Sequence, residues 1–313
     1  MKTIIVHDDA ADWYCSALAD LPGCRFVPST AVTSASAMDV EALIAFAPST
    51  PASLLESLPA LRWIHSLTAG VDRLMAMPAL GRGVAVTTSS GIHGPQMSEM
   101  AFLLMLAAAR QFPAMIANQA AAHWERWPQP LLLNKTACIV GLGAIAETLV
   151  ERCRAFGMRV TGVSSGRSDM AGVDRIYPRE ALREAAAEAD FLIVLVPYAA
   201  STHHLIDASV LASMKRSSIL INLSRGGCVD EDALCKALRA GNLFAAGCDV
   251  FSQEPLPSDN PLWSLPNLIV TPHVGGWSDV YAEQTVPLLR RNLQRFLAGD
   301  IDGLENLVSR NHA

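Results

Sequence analysis

Short apolar runs alternate with longer stretches of helical spacing along almost the whole chain. In the first third, Thr3–His7, Cys24–Pro28, Ala42–Phe46, Arg62–Ser66 and Ala85–Thr88 predict strands. The segments between them, such as Asp9–Leu21 and Ser53–Leu58, predict helices. This alternation argues for an α/β domain with a parallel sheet.

Pro95–Arg110 is apolar on nearly every side and predicts a buried helix. Gln119–Asn134 breaks the rhythm with Trp124, Trp127, Pro128 and Pro130, and reads as an arm or linker. A second unit opens at Thr136. Its strand runs are Thr136–Val140, Arg159–Val163, Phe191–Val196, Ile219–Asn222, Phe244–Gly247 and Leu268–Val270. Helical stretches at Ala144–Phe156, Arg179–Ala189 and Asp230–Ala240 lie between them, as a doubly wound sheet requires. The last helical stretch, Ser278–Ala298, is long enough to cross back to the first domain, so the first domain is expected to be discontinuous.

Composition narrows the class. At roughly 150 residues per domain, 313 residues allow about two domains. Charged residues are 17% and hydrophobic residues 51%, which excludes a disordered chain. A net charge of -6 leaves no basic footprint for nucleic acid. Seven cysteines without a C-x-x-C pair fit a reducing compartment better than a disulfide framework or a zinc site. Met1–Asp9 does not read as a signal peptide, and the longest apolar runs fall short of the ~20 residues of a membrane span. A cytoplasmic protein without membrane or nucleic-acid partners is expected.

The strongest local signal is Ile139-Val140-Gly141-Leu142-Gly143-Ala144-Ile145-Ala146, a strand entering a G-x-G-x-x-A turn and then a helix. The first glycine permits the tight turn and the second lets backbone approach a pyrophosphate. The small third residue lets helix and strand pack closely. The helix N-terminus then offers free N–H groups and partial positive charge. An acidic residue about 20 positions on would accept from the ribose of NAD. Here Val163 is followed by Ser164, Ser165, Gly166 and Arg167, with no carboxylate before Asp169. Two hydroxyls and a guanidinium suit a 2′-phosphate, so NADP(H) is preferred and NAD(H) remains possible.

Three ionisable groups follow strand runs of the second unit: Arg225, Asp249 (with Glu254 five residues on) and His273. A parallel sheet brings such positions to one rim. Reduction of a 2-keto acid needs a proton donor for the carbonyl oxygen, which a histidine can be. A neighbouring carboxylate favours the imidazolium form, and an arginine can grip the substrate carboxylate.

These motifs together resemble the D-isomer-specific 2-hydroxyacid dehydrogenase family. The resemblance rests on Gly141–Ala146, Asn222-Leu223-Ser224-Arg225-Gly226-Gly227-Cys228-Val229-Asp230, Asp249–Pro255 and Thr271-Pro272-His273, in that order and spacing. It implies an α/β fold of two domains, a Rossmann-type doubly wound parallel sheet plus a flavodoxin-like substrate domain. Residues 1–98 and 287–313 would form the substrate domain, and 99–286 the dinucleotide-binding domain. It implies Arg225, Glu254 and His273 as the catalytic set, with Asp249 holding the nicotinamide carboxamide. The backbone N–H groups of Ala69, Gly70 and Val71 would hold the substrate carboxylate. Pro197 and Thr202 belong to a loop expected near the cofactor. The helix beginning near Glu99 and the arm after it imply a homodimer.

Gly91-Ile92-His93-Gly94 and the segment Trp277–Leu307 look most like the glyoxylate and hydroxypyruvate reductase branch. Ser164 stands where NAD-dependent members carry an acid, and Met97 and Met100 are bulky for a nicotinamide face. Glu254 disfavours the formate dehydrogenases, which carry glutamine there. The expected reaction is hydride transfer from NAD(P)H to a small 2-keto acid, giving the D-2-hydroxy acid, with His273 as proton donor. Two alternatives stay open: an NAD-linked dehydrogenase of a larger 2-hydroxy acid, and a dinucleotide-sensing, corepressor-like binding protein. His203-His204 reads as a loop near the cofactor, since no cluster completes a metal site. His65 and His93 lie near expected pocket loops, and either could touch substrate. Trp124 and Trp127 read as arm packing.

Overall fold

The computed structural model describes residues 1–33 and 37–308. The chain divides into two compact units, one built from Met1–Ile92 and the segment from Ser278 onward, the other from His93–Trp277.

The first unit holds β1 (Lys2–His7), β2 (Cys24–Pro28), β3 (Ala42–Ala45), β4 (Trp63–Ser66) and β5 (Ala85–Thr88). They form one parallel sheet in the order β2-β1-β3-β4-β5, the flavodoxin-like order with its reversal at β1 and β3. The central strands β3 and β4 are buried along their whole length, whereas the edge strand β2 exposes Arg25. Ile4, Val6, Ala42, Ile44 and Trp63 pack on one side, and Ile5, Leu43, Ala45 and Ile64 on the other. This is the two-residue alternation of a pleated strand. The helix Tyr281–Leu297 covers the first side with Leu289, Leu293 and Phe296, one stripe at helical spacing. The C-terminal segment thus completes the N-terminal core.

The second unit holds β6 (Thr136–Val140), β7 (Arg159–Val163), β8 (Arg175–Tyr177), β9 (Phe191–Val194), β10 (Ile219–Asn222), β11 (Ala245–Cys248) and β12 (Leu268–Val270). They form a parallel sheet in the order β12-β11-β10-β9-β6-β7-β8. The order reverses between β6 and β9, the switch point where this class of sheet opens a crevice. The helix Gly94–Ala109 lies against it through Ala101, Leu104, Met105 and Ala108. Among the described residues no single helix is long and apolar enough to cross a membrane.

The structure adds one strand, β8, to the six expected here. Its three residues carry an arginine and are too short for a periodic signal. The helix Phe112–Ala120 and the short helices Asp72–Met75 and Ala208–Ser213 were also not foreseen. The units divide after Ile92 and after Trp277, whereas residues 98 and 286 were expected. Those positions fall inside the helices Gly94–Ala109 and Tyr281–Leu297, each of which packs as a whole in one unit.

Candidate active site

At the switch point, β6 ends in the glycine turn. Gly141 has φ +104°, and a Cβ there would stand 2.9 Å from backbone atoms of Leu195 and Val196. Only glycine fits that approach. Gly143 caps the helix Ala144–Ala155, and a Cβ on it would meet nothing within 4 Å. The N–H groups opening this helix, from Ala144 and Ile145 on, therefore start beside open space at Gly143. The site fits a dinucleotide pyrophosphate.

Beyond β7, the Ser164 hydroxyl accepts from the N–H groups of Gly166 (3.2 Å) and Arg167 (2.9 Å), closing a turn that includes Ser165. Arg167 reaches back to Glu147 Oε1 at 2.7 Å, with both side chains about half exposed. After β9, Thr202 is buried. Its hydroxyl accepts from Ala199 N (2.7 Å) and donates to Pro197 O (2.8 Å), so it holds the 197–202 loop together.

Arg225, Asp249 and His273 follow β10, β11 and β12, on the same edge of the parallel sheet. Asn222 accepts from the N–H (3.2 Å) and hydroxyl (2.9 Å) of Ser224 and donates to Arg225 O (3.2 Å), which fixes the backbone under the guanidinium. A Cβ on Gly226 would lie 1.9 Å from the Phe251 carbonyl carbon, so this turn and the Phe251–Glu254 turn touch backbone to backbone. Glu254 accepts from Phe251 N at 2.9 Å through Oε1 and from His273 Nδ1 at 2.7 Å through Oε2. Burial works to raise the Glu254 carboxyl. The His273 and Phe251 hydrogen bonds and the charges of His273 and Arg225 outweigh it, and the carboxyl titrates below its ordinary range. With Nδ1 committed to Glu254, Nε2 is the ring nitrogen left for a substrate.

His273 has φ +55°, left-handed backbone that a residue with a side chain rarely adopts. Asp249, 1% exposed, holds the surrounding segment. Its Oδ1 accepts from the Thr271 hydroxyl (2.6 Å) and Val274 N (3.1 Å), and its Oδ2 from Gly275 N (2.8 Å). The sequence showed Asp249 as a strand-end acid. It did not show that both its oxygens bind the segment carrying His273. Asn222 was likewise missed as a support, although a polar residue closing an apolar strand was the available signal.

His93 joins this cluster. It is nearly buried, and burial first and the charge of Arg225 second push it down to about 4. Met100 packs against the backbone of Gly275 beside Asp249. His203 and His204 stack with ring centroids 3.9 Å apart, and His203 Nδ1 lies 3.1 Å from the Tyr198 hydroxyl. Trp124 is 88% exposed and so does not serve as internal packing of this chain.

In the first unit the Ala69–Val71 loop follows β4. Thr68 donates to Gly70 O at 2.7 Å, and Ser89 N donates to Thr68 O at 3.2 Å. His65 has no exposed surface and so touches no substrate.

The D-isomer specific 2-hydroxyacid dehydrogenase, NAD binding domain family matches residues 102–275, the region of all these strand-end groups. A glyoxylate reductase of Korarchaeum cryptofilum is 34% identical over 268 residues, which cover 82% of this chain and 79% of that protein. The chain belongs to the D-isomer specific 2-hydroxyacid dehydrogenase family. Among solved structures, a family member from Aeromonas salmonicida superposes with TM-score 0.89 at 35% identity, covering 99% of each chain. An NADPH-dependent glyoxylate/hydroxypyruvate reductase from Sinorhizobium meliloti, solved with NADP and sulfate, gives TM-score 0.85 at 27% identity over 100% of this chain and 99% of that one. The protein is an NAD(P)-dependent 2-hydroxyacid dehydrogenase, as the four motifs implied. The dehydrogenase carries its dinucleotide turn and its ionisable strand-end groups in a single unit, His93–Trp277.

Proposed function

We propose that this dehydrogenase reduces a small 2-keto acid, of the glyoxylate or hydroxypyruvate type, to the D-2-hydroxy acid, with NADPH preferred over NADH. The observation that carries the reading is the 2.7 Å hydrogen bond between His273 and Glu254, with the charge of Arg225 felt at Glu254. When bound, the nicotinamide supplies the hydride. His273 passes a proton from Nε2 to the substrate carbonyl oxygen, while Glu254 fixes the ring through Nδ1. Arg225 grips the substrate carboxylate and polarises the carbonyl. The family resemblance assigns the N–H groups of Ala69, Gly70 and Val71 to the substrate carboxylate as well.

Gly141, Gly143, Ala144 and Ile145 would hold the pyrophosphate. Ser164, Ser165 and Arg167 would meet the 2′-phosphate, and the loop from Pro197 to Thr202 would border the cofactor. Asp249 would reach the carboxamide with whatever acceptor capacity the 271–275 segment leaves it. The relatives named glyoxylate reductase and the NADP complex support this choice of substrate and cofactor. Leu103, Phe112 and Ile116 are each about half exposed and line one groove. We take this face as the contact of a homodimer working in the cytoplasm.

Initial rates on glyoxylate, hydroxypyruvate, pyruvate and phenylpyruvate, each with NADPH and NADH, test the reading. Highest efficiency on one of the first two with NADPH supports it. Highest efficiency on phenylpyruvate, or cofactor binding without turnover of any, overturns it.

A further inference from the structure

Beneath the Ala69–Val71 loop lies a file of polar side chains with no exposed surface: Trp63, His65, Ser66, Thr87 and Ser89. His65 on β4 is paired in register with Thr87 on β5. Its Nδ1 lies 2.8 Å from Thr87 Oγ1, and its Nε2 lies 3.1 Å from Ser89 Oγ. Trp63 Nε1 donates to the same Thr87 oxygen at 2.9 Å, and Ser89 donates to Ser66 O at 3.0 Å.

The end groups fix the direction of every bond. An indole N–H only donates and a carbonyl only accepts. Ser89 spends its proton on Ser66 O, so Nε2 must carry the proton and give it to Ser89. Burial pushes His65 down to about 3, so the ring is neutral and Nδ1 accepts. Thr87 therefore accepts from Trp63 and donates to His65. One chain runs Trp63, Thr87, His65, Ser89, Ser66 O, and at Ser89 it also meets the Tyr281 hydroxyl, whose own proton goes to Leu67 O.

The chain ends where the loop begins. Four carbonyls between Ser66 and Gly70 are held: Ser66 O by the Ser89 hydroxyl, Leu67 O by the Tyr281 hydroxyl, Thr68 O by Ser89 N, and Gly70 O by the Thr68 hydroxyl. Across a planar trans peptide, the carbonyl of one residue and the N–H of the next point opposite ways. Pinning Thr68 O therefore turns the Ala69 N–H outward, and pinning Gly70 O does the same for Val71. Among the described residues neither N–H donates to a protein acceptor. Ser89 is the junction, since it holds two of the carbonyls and His65 sets the direction of its hydroxyl.

We propose that His65 is a positioning residue for the substrate-carboxylate loop, acting through this one-way chain of buried hydrogen bonds together with Ser89 and Tyr281. The inference rests on the reading that Ala69–Val71 holds the substrate carboxylate. A neutral, two-sided ring is needed here because it must accept on one edge and donate on the other, a fixed distance apart.

The test uses the full-length protein with glyoxylate and NADPH. Ser89→Ala and Tyr281→Phe should each raise KM for the keto acid by roughly five- to tenfold, the size of one lost buried hydrogen bond. They should leave kcat and the NADPH dissociation constant nearly unchanged, because those depend on the other unit. His65→Gln keeps an N–H that can reach Ser89, and should stay within about threefold of the unmodified KM, whereas His65→Leu should not. Unmoved KM in folded Ser89→Ala and Tyr281→Phe overturns the proposal. Equal losses in kcat and NADPH binding, or glutamine no better than leucine at 65, also overturn it by making the file merely structural. Ala69→Asp separates the underlying reading. A carboxylate on this exposed loop residue should raise KM for the keto acid by repulsion. If it does and the buried variants do not, only the role of His65 falls; if Ala69→Asp leaves KM unmoved, the reading of the loop itself fails.

Discussion

Asp249 and His273 illustrate how much of a site is held by bonds that never touch substrate. His273 sits in left-handed backbone, and the bonds from Thr271, Val274 and Gly275 to Asp249 keep it there. His273→Ala should lower turnover by roughly 10²-fold or more, the usual size of general acid catalysis, with cofactor affinity little changed. Asp249→Asn replaces one acceptor by a donor facing other donors, so one pair must separate. Its kcat should fall at least about tenfold in a folded protein, as a bond positioning the acid is lost. Steady-state rates with NADPH binding by fluorescence check both. The proposed cofactor choice rests on single residues too. The Ser164 hydroxyl accepts two backbone N–H bonds, and an aspartate oxygen could accept the same bonds while its partner oxygen meets a free ribose. Ser164→Asp with Arg167→Ala should therefore keep the turn and invert a preference for NADPH of at least about tenfold, mainly through KM, adding repulsion and removing attraction together. Equal kcat/KM for the two cofactors in the unmodified protein would count against this.

Between elements, close approach decides what is tolerated. The turn after β10 meets the turn after β11 at Gly226, where the obstructing atoms are backbone and cannot rotate away. Gly226→Ala should cost at least the roughly 1–3 kcal/mol of an overpacked site. It should also move the Phe251–Glu254 turn off His273, so thermal midpoint and kcat fall together. A variant with native melting and native turnover would show that the two turns are independent. The helix Gly94–Ala109 makes the converse point. Its inner side is buried, yet Leu103 is 54% exposed. An apolar outward side next to exposed Phe112 and Ile116 supports the proposed contact between copies. Light scattering should give a dimer, and Leu103→Glu should shift it toward monomer.

Taken whole, the protein buries two neutral histidines, His65 held down to about 3 and His93 to about 4. In the unfolded chain each takes up a proton near 6.5. Between that pH and the folded values the unfolded state binds more protons, so stability falls as pH is lowered through the window. Each histidine contributes a slope of about 1.4 kcal/mol per pH unit there. His93→Gln should flatten the dependence by about one proton between pH 4.5 and 6, read from urea midpoints across that range. An unchanged slope would mean that His93 charges without unfolding.

The α/β class, the glycine turn at Gly141 and the helix after it were legible in the sequence because each depends on neighbours a few residues apart. Apolar runs mark buried strands, and only glycine can take φ +104° beside Val196. The short β8 escaped because three residues carry no period. Arg225, Asp249 and His273 could be placed on one rim because a parallel sheet delivers every strand end to one edge, whatever the loops between do. The tertiary structure alone decided the rest. Nothing near His65 in the chain says that it faces Thr87 and Ser89, since that follows from the register of β4 against β5. Nothing near Tyr281 says that its hydroxyl ends on Leu67, more than two hundred residues away. Local preference sets where strands and turns form; the register and packing of distant segments set which polar atoms meet inside.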